Sequence, residues 1–169
     1  LDGNFFFFVG YILGYKISFG KDDVPVACTG DIRTLIDYKT YKTVDTSNAT
    51  FTSLFQGCKQ LTSAPALPAT TLADNCYLAM FYGCTSLKEA PALPATTLAD
   101  GCYLSMFDGC ISLEEAPELP ATELAADCYY GMFDGCTSLE EAPELPATTL
   151  AEECYYEMFK GCASLKEAP

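Results

Sequence analysis

The sequence has no histidine. That removes the side chain most often used as a general base near neutral pH, and with it the commonest metal ligand. Serine and cysteine nucleophiles are left without their usual imidazole partner, so the chain reads as a non-enzyme that needs no cofactor. There is no glycine-rich phosphate loop and no basic, aromatic-interleaved stripe. Basic residues are scarce: nine Lys and Arg stand against 23 Asp and Glu, for a net charge of −14. The imbalance lies almost wholly after residue 58, where 17 acids face four bases, whereas residues 1–58 hold six acids and five bases. Such a surface repels nucleic acid and anionic membrane, and it suits solubility or a cationic partner. Long apolar runs are missing too. The uncharged stretch 5–15 is too short to cross a ~30 Å hydrocarbon core as a helix, and Gly10 and Gly14 weaken a helical reading of it. No signal peptide is recognisable, and a chain that starts at Leu1 is expected to be processed, trimmed or a fragment.

What is present is repetition. The unit LPATTLADNCYLAMFYGCTSLKEAPA, residues 67–92, returns nearly verbatim at 93–118 and 119–144, and again from 145. The period of 26 residues does not slip: Phe55, Phe81, Phe107, Phe133 and Phe159 are evenly spaced, as are Cys58, Cys84, Cys110, Cys136 and Cys162. A fixed period of this size means a stacked array in which no unit buries its apolar face alone. Residues 50–64 are a degenerate copy in which Phe51 takes the tyrosine position and Leu54 the methionine position. Residues 1–50 do not repeat. There the alternation of Tyr15, Ile17 and Phe19, a turn at 20–23, an extended run at 24–26 and a short turn begun at Asp31 suggest a small β-rich cap.

Within a repeat, Ala73, Cys76, Tyr77, Met80, Phe81 and Cys84 step by 3, 1, 3, 1 and 3, one stripe of a helix. Thr70 or Thr71 can cap its start and Gly83 can end it in a left-handed turn. Asp74, Asn75, Ala79 and Tyr82 fall on the opposite, solvent side. The segment 87–94 follows, with Leu87, Ala90 and Leu93 directed inward; its two prolines permit only a short strand. The expected fold is an α/β solenoid: one short parallel strand plus one helix per 26-residue repeat, over residues 51–169, behind a β-rich cap at 1–50. The ten cysteines fall mostly in two columns whose spacing matches no zinc knuckle. They are best explained as small buried thiols, with disulfides the alternative. The four methionines lie on the inner stripe as core filler.

The pattern MFxGCxSLxxAPxLPATxLA resembles the BspA-like (type 5) leucine-rich repeats of bacterial surface proteins, over residues 51–169. The segment 26–38 is similar to what precedes the array in such proteins. The resemblance implies a strand-and-helix leucine-rich-repeat solenoid, export to the cell surface and a role in binding or adhesion. It brings no catalytic motif. The repeats here are longer than the commonest form, and Pro91, Pro117 and Pro143 occupy the strand position, which predicts poor strand pairing.

Stacking turns each outward position into a column. Glu89, Glu115, Glu141 and Glu167 form one; Lys88, Glu114, Glu140 and Lys166 form its neighbour; Glu118 and Glu144 add to the same face. Like charges this close repel, and either a cationic partner or water and salt would relieve them. A second column, Leu78, Leu104, Tyr130 and Tyr156, is either an exposed binding ridge or partly buried against its neighbours. Two functions compete. One is a surface module recognising a host or cell-surface protein or a glycan; the other is a spacer or end-to-end assembly element, associating through the end at Pro169.

Overall fold

The computed structural model describes residue 17 and residues 24–44, 48–167 and 169. The strand expected around Tyr15 and Phe19 and the turn at 20–23 lie outside the described residues. One hydrophobic core runs the length of the array, from Cys28 and Ile32 through the repeated Cys, Tyr, Met, Phe and Leu positions to Met158. The inner stripe read from the sequence is buried apart from the half-buried Ala73: Met80, Phe81 and Cys84 are fully enclosed, as are Met106, Phe107, Cys110, Met132, Phe133 and Cys136. Rings stack from repeat to repeat. Phe55, Phe81, Phe107, Phe133 and Phe159 form one column with centroids 5.5–5.7 Å apart. Phe51, Tyr77, Tyr103, Tyr129 and Tyr155 form a second at 5.7–5.9 Å. Phe51 of the degenerate copy thus does the work of a tyrosine.

The backbone that carries these rings is not the expected helix. No α-helix occurs among the described residues, and residues 74–83 form a run of turns. Cys76, Leu78, Met80, Tyr82 and Cys84 each donate their N–H to the carbonyl three residues back. The intervening residues donate outward instead, to the next repeat: Asn75 to Asp100, Tyr77 to Cys102, Ala79 to Leu104, Phe81 to Met106 and Gly83 to Asp108, at 2.7–2.9 Å. Every second amide therefore closes a turn and every other one ties two repeats together, which leaves no donor of this coil unused. The turns need a left-handed residue at every fourth position, and Asn75, Ala79 and Gly83 have φ of +55°, +50° and +68°. The physical reason for the departure is spacing. Packed helices sit ~8–10 Å apart, whereas these rings stack at less than 6 Å, a distance only laterally bonded backbone can hold. One detail of the expected outer face changes with it: Ala79 is buried.

The expected strand shrinks to isolated parallel bridges, Glu89 to Glu115 and Glu115 to Glu141, with another at Thr71 and Thr97. Pro91, Pro117 and Pro143 follow two residues later and have no N–H to extend the ladder. The described part of the cap holds one short strand. Strand β1 (Val26–Ala27) pairs in parallel with β2 (Leu61–Ser63), Val26 opposite Leu61. Two 3-10 turns follow, at Ile32–Leu35 and Tyr41–Thr43. Asp31 starts the first, as its position suggested, by accepting from the Arg33 N–H at 2.9 Å.

All ten cysteines are thiols. One column has a use beyond filling space. The Cys84, Cys110, Cys136 and Cys162 sulfurs each donate to the carbonyl of a phenylalanine in the preceding repeat, Phe55, Phe81, Phe107 and Phe133, at 3.1 Å. Burial pushes the Cys76 thiol up to about 11 and Cys102 up to about 12, which keeps both in the unreactive protonated form.

Candidate functional site

The bridges at Glu89, Glu115 and Glu141 set these three residues side by side on successive repeats, all exposed. Backbone bonds from Glu114 to Lys88, Glu140 to Glu114 and Lys166 to Glu140 hold the adjacent column in the same register. That column partly neutralises itself. Lys88 Nζ reaches Glu114 at 3.4 Å, and Lys166 pairs with Glu140, a hydrogen bond that holds the Glu140 carboxyl below its usual range. Exposed pairs of this kind contribute only ~0–1 kcal/mol each, so their effect is on charge pattern rather than stability. Glu89, Glu115 and Glu141, like Glu118 and Glu144, form no ion pair among the described residues. A cleft of about 440 Å³ opens beside Glu140, Glu141, Lys166 and Glu167.

Glu118 and Glu144 flank a second groove, of about 520 Å³, floored by Pro117, Leu119 and Pro143. The sequence drew attention to the two carboxylates but not to the groove, because its walls come from residues that local pattern marks only as strand breakers. From Glu89 to Glu157 the chain has 15 acids and no Lys or Arg, and on this face the positive charges are Lys88 and Lys166, each already paired with a glutamate.

The column at Leu78, Leu104 and Tyr130 is half-buried, and Tyr156 is half exposed, at 50%. The Tyr130 and Tyr156 rings stack at 5.0 Å. This column belongs to the coil of turns rather than to the bridged segment, so the candidate residues form two separate stripes. Among the described residues, no group of three or more His, Cys, Asp or Glu is arranged to hold a metal ion. No helix of the described residues is long and apolar enough to cross a membrane.

One titratable column escaped the sequence reading. Asp108, Asp134 and Lys160 occupy equivalent positions, with Lys160 Nζ 3.7 Å from Asp134 and 2.9 Å from Glu157. Burial first, and then the Asp134 charge, push the Asp108 carboxyl up to about 6 from 3.8. A carboxyl raised on folding favours the folded state when protonated; that contribution is complete below about pH 4 and is lost as pH rises through about 6. Solvent screening of this partly exposed group holds the effect on stability to about 1 kcal/mol. Asp108→Asn is therefore expected to raise stability at pH 7.5 by about 1 kcal/mol and to leave it nearly unchanged at pH 4. Urea titrations of both proteins at the two pH values measure this; equal gains at both would show that Asp108 ionisation is not the cause.

Among solved structures, the chain is similar to the T. pallidum leucine-rich repeat protein TpLRR, at 22% identity and a TM-score of 0.42. The match covers 68% of this chain and 48% of that one, so the chain spans about half of that protein's length. No protein-family model and no curated protein matches the sequence.

Proposed function

We propose that the chain is a non-catalytic recognition module that presents the acidic Glu89, Glu115, Glu141, Glu118 and Glu144 face to a cationic protein partner. In this reading residues 1–50 cap the array and residues 51–169 display it, at a bacterial cell surface, in keeping with the BspA-like character of the repeat pattern. The observation that carries the reading is the backbone register of the bridged segment. It holds Glu89, Glu115 and Glu141 in line while the flanking column spends its charge on Lys88–Glu114 and Glu140–Lys166 pairs. Like charges held side by side by the backbone are relieved by a basic surface. Binding of this kind is steered by charge and weakens with salt.

Immobilised chain exposed to a panel of basic and acidic extracellular proteins is expected to retain the basic ones selectively. Glu115→Gln with Glu141→Gln is expected to weaken retention by roughly tenfold, through lost charge attraction. Equal retention of acidic proteins, or no effect of the double substitution, would sink the proposal. The Leu78, Leu104, Tyr130 and Tyr156 column is a second contact surface in the same reading, with Tyr156 as its exposed anchor. The competing role, a spacer that assembles end to end, draws on the near-identity of successive repeats.

A further inference from the structure

We infer that the groove between residues 116–120 and 143–146 is a seat for arginine side chains of the partner, an inference that rests on the acidic face being the recognition face. Its floor is apolar: Pro117, Leu119 and Pro143 are buried, Leu119 to 3% exposure. Its rim is two exposed carboxylates, Glu118 and Glu144, one from each repeat. Among the described residues, no backbone N–H engages a carbonyl of residues 116–121 or 142–147. Four prolines in these segments carry no N–H of their own, so acceptors outnumber donors around the opening.

Three requirements follow for an occupant. It must be cationic, because none of the ion pairs among the described residues involves Glu118 or Glu144. It must carry several donors, to meet both carboxylates and the unengaged carbonyls. It must also tolerate an apolar floor. A guanidinium meets all three: it is planar, weakly hydrated, and offers five donors in a fork that matches a carboxylate. An ammonium meets the first two but is strongly hydrated, so an apolar floor penalises it. The apolar floor is repeated, since Pro91 and Leu93 stand where Pro117 and Leu119 stand one repeat later, but Ala92 stands in place of Glu118, so that neighbouring groove has a carboxylate on one side alone. A segment with several arginines would then gain by simultaneous engagement.

The test uses the full chain and three fluorescein-labelled peptides: alternating arginine and glycine, the same with lysine, and the same with neutral citrulline. Anisotropy at physiological salt is expected to show the arginine peptide binding roughly tenfold more tightly than the lysine peptide, and citrulline not at all. Glu118→Gln with Glu144→Gln is expected to erase the difference between arginine and lysine. Glu115→Gln with Glu141→Gln is expected to weaken both peptides alike. All four carboxylates are exposed, so an unchanged thermal melt confirms that the variants fold. Equal binding of arginine and lysine by the unaltered chain overturns the groove assignment while leaving the acidic-face reading intact. Failure of both cationic peptides overturns the two together. Tight binding of citrulline assigns the groove to neutral extended peptide and overturns the arginine assignment.

Discussion

Phe107→Ala is expected to lower the unfolding free energy by about 4 kcal/mol, near the upper half of the range for a buried aromatic. The ring is fully enclosed, and it stacks on both sides, with Phe81 at 5.6 Å and Phe133 at 5.7 Å. Each stack is worth ~0.5–1.5 kcal/mol beyond area burial, so the substitution removes two such terms as well as leaving a cavity. Collapse into the cavity is resisted, because the backbone on either side is fixed by the Ser105–Tyr130, Phe107–Met132 and Phe81–Met106 hydrogen bonds. The same change at Phe159, which is half-buried and stacks on Phe133 at 5.7 Å, is expected to cost about 2 kcal/mol. Urea unfolding of both variants measures the pair. Equal costs would mean that the column is not a run of nearest-neighbour contacts, as a stacked array requires.

The second large effect is at Gly109. Its φ is +72°, and a Cβ there would stand 3.6 Å from the Gly83 Cα and 3.8 Å from the Gly83 nitrogen. Alanine would fit at van der Waals distance and incur only the left-handed strain of ~1–2 kcal/mol. Valine is expected to cost about 3 kcal/mol, since a β-branched residue is an outlier in this region and its methyls would press on the Gly83 backbone of the preceding repeat. The reverse exchange provides the control. Glu157 sits at φ +52° and Glu153 at +46°, so Glu157→Gly is expected to stabilise by about 1 kcal/mol, net of the lost Lys160 contact. Thermal melts decide the matter. Destabilisation by Glu157→Gly would show that the coil does not hold that residue left-handed.

The repeat, its period and the buried columns were legible because each is a matter of residue type at fixed spacing. The helix was a misreading with a clear cause. Cys76, Tyr77, Met80, Phe81 and Cys84 satisfy a 3.6-residue period, yet they satisfy a period of four equally well. The arbiter was the other face. Asn75, Ala79 and Gly83, then Gly101, Ser105 and Gly109, then Asp127, Gly131 and Gly135 recur at every fourth position. Glycine and Asn or Asp dominate these positions, and those residues tolerate left-handed backbone. Read as turn residues rather than as a variable polar surface, they point to a coil of turns. The thiol donors, the Asp108 environment and the proline groove were beyond reach, since each depends on which residue of the adjacent repeat comes within contact distance.

The alternating hydrogen bonds of the coil also decide how the molecule answers to pulling. A helix keeps its bonds within itself, so an array of helices can be drawn apart while each stays wound. Here half of the coil's bonds cross between repeats, and a unit detached from its neighbour loses its ladder and its ring contacts in one event. Tension along the stack would therefore release one 26-residue unit at a time, each yielding roughly 85–95 Å of slack chain. The array would act as an extensible tether that lengthens in equal steps.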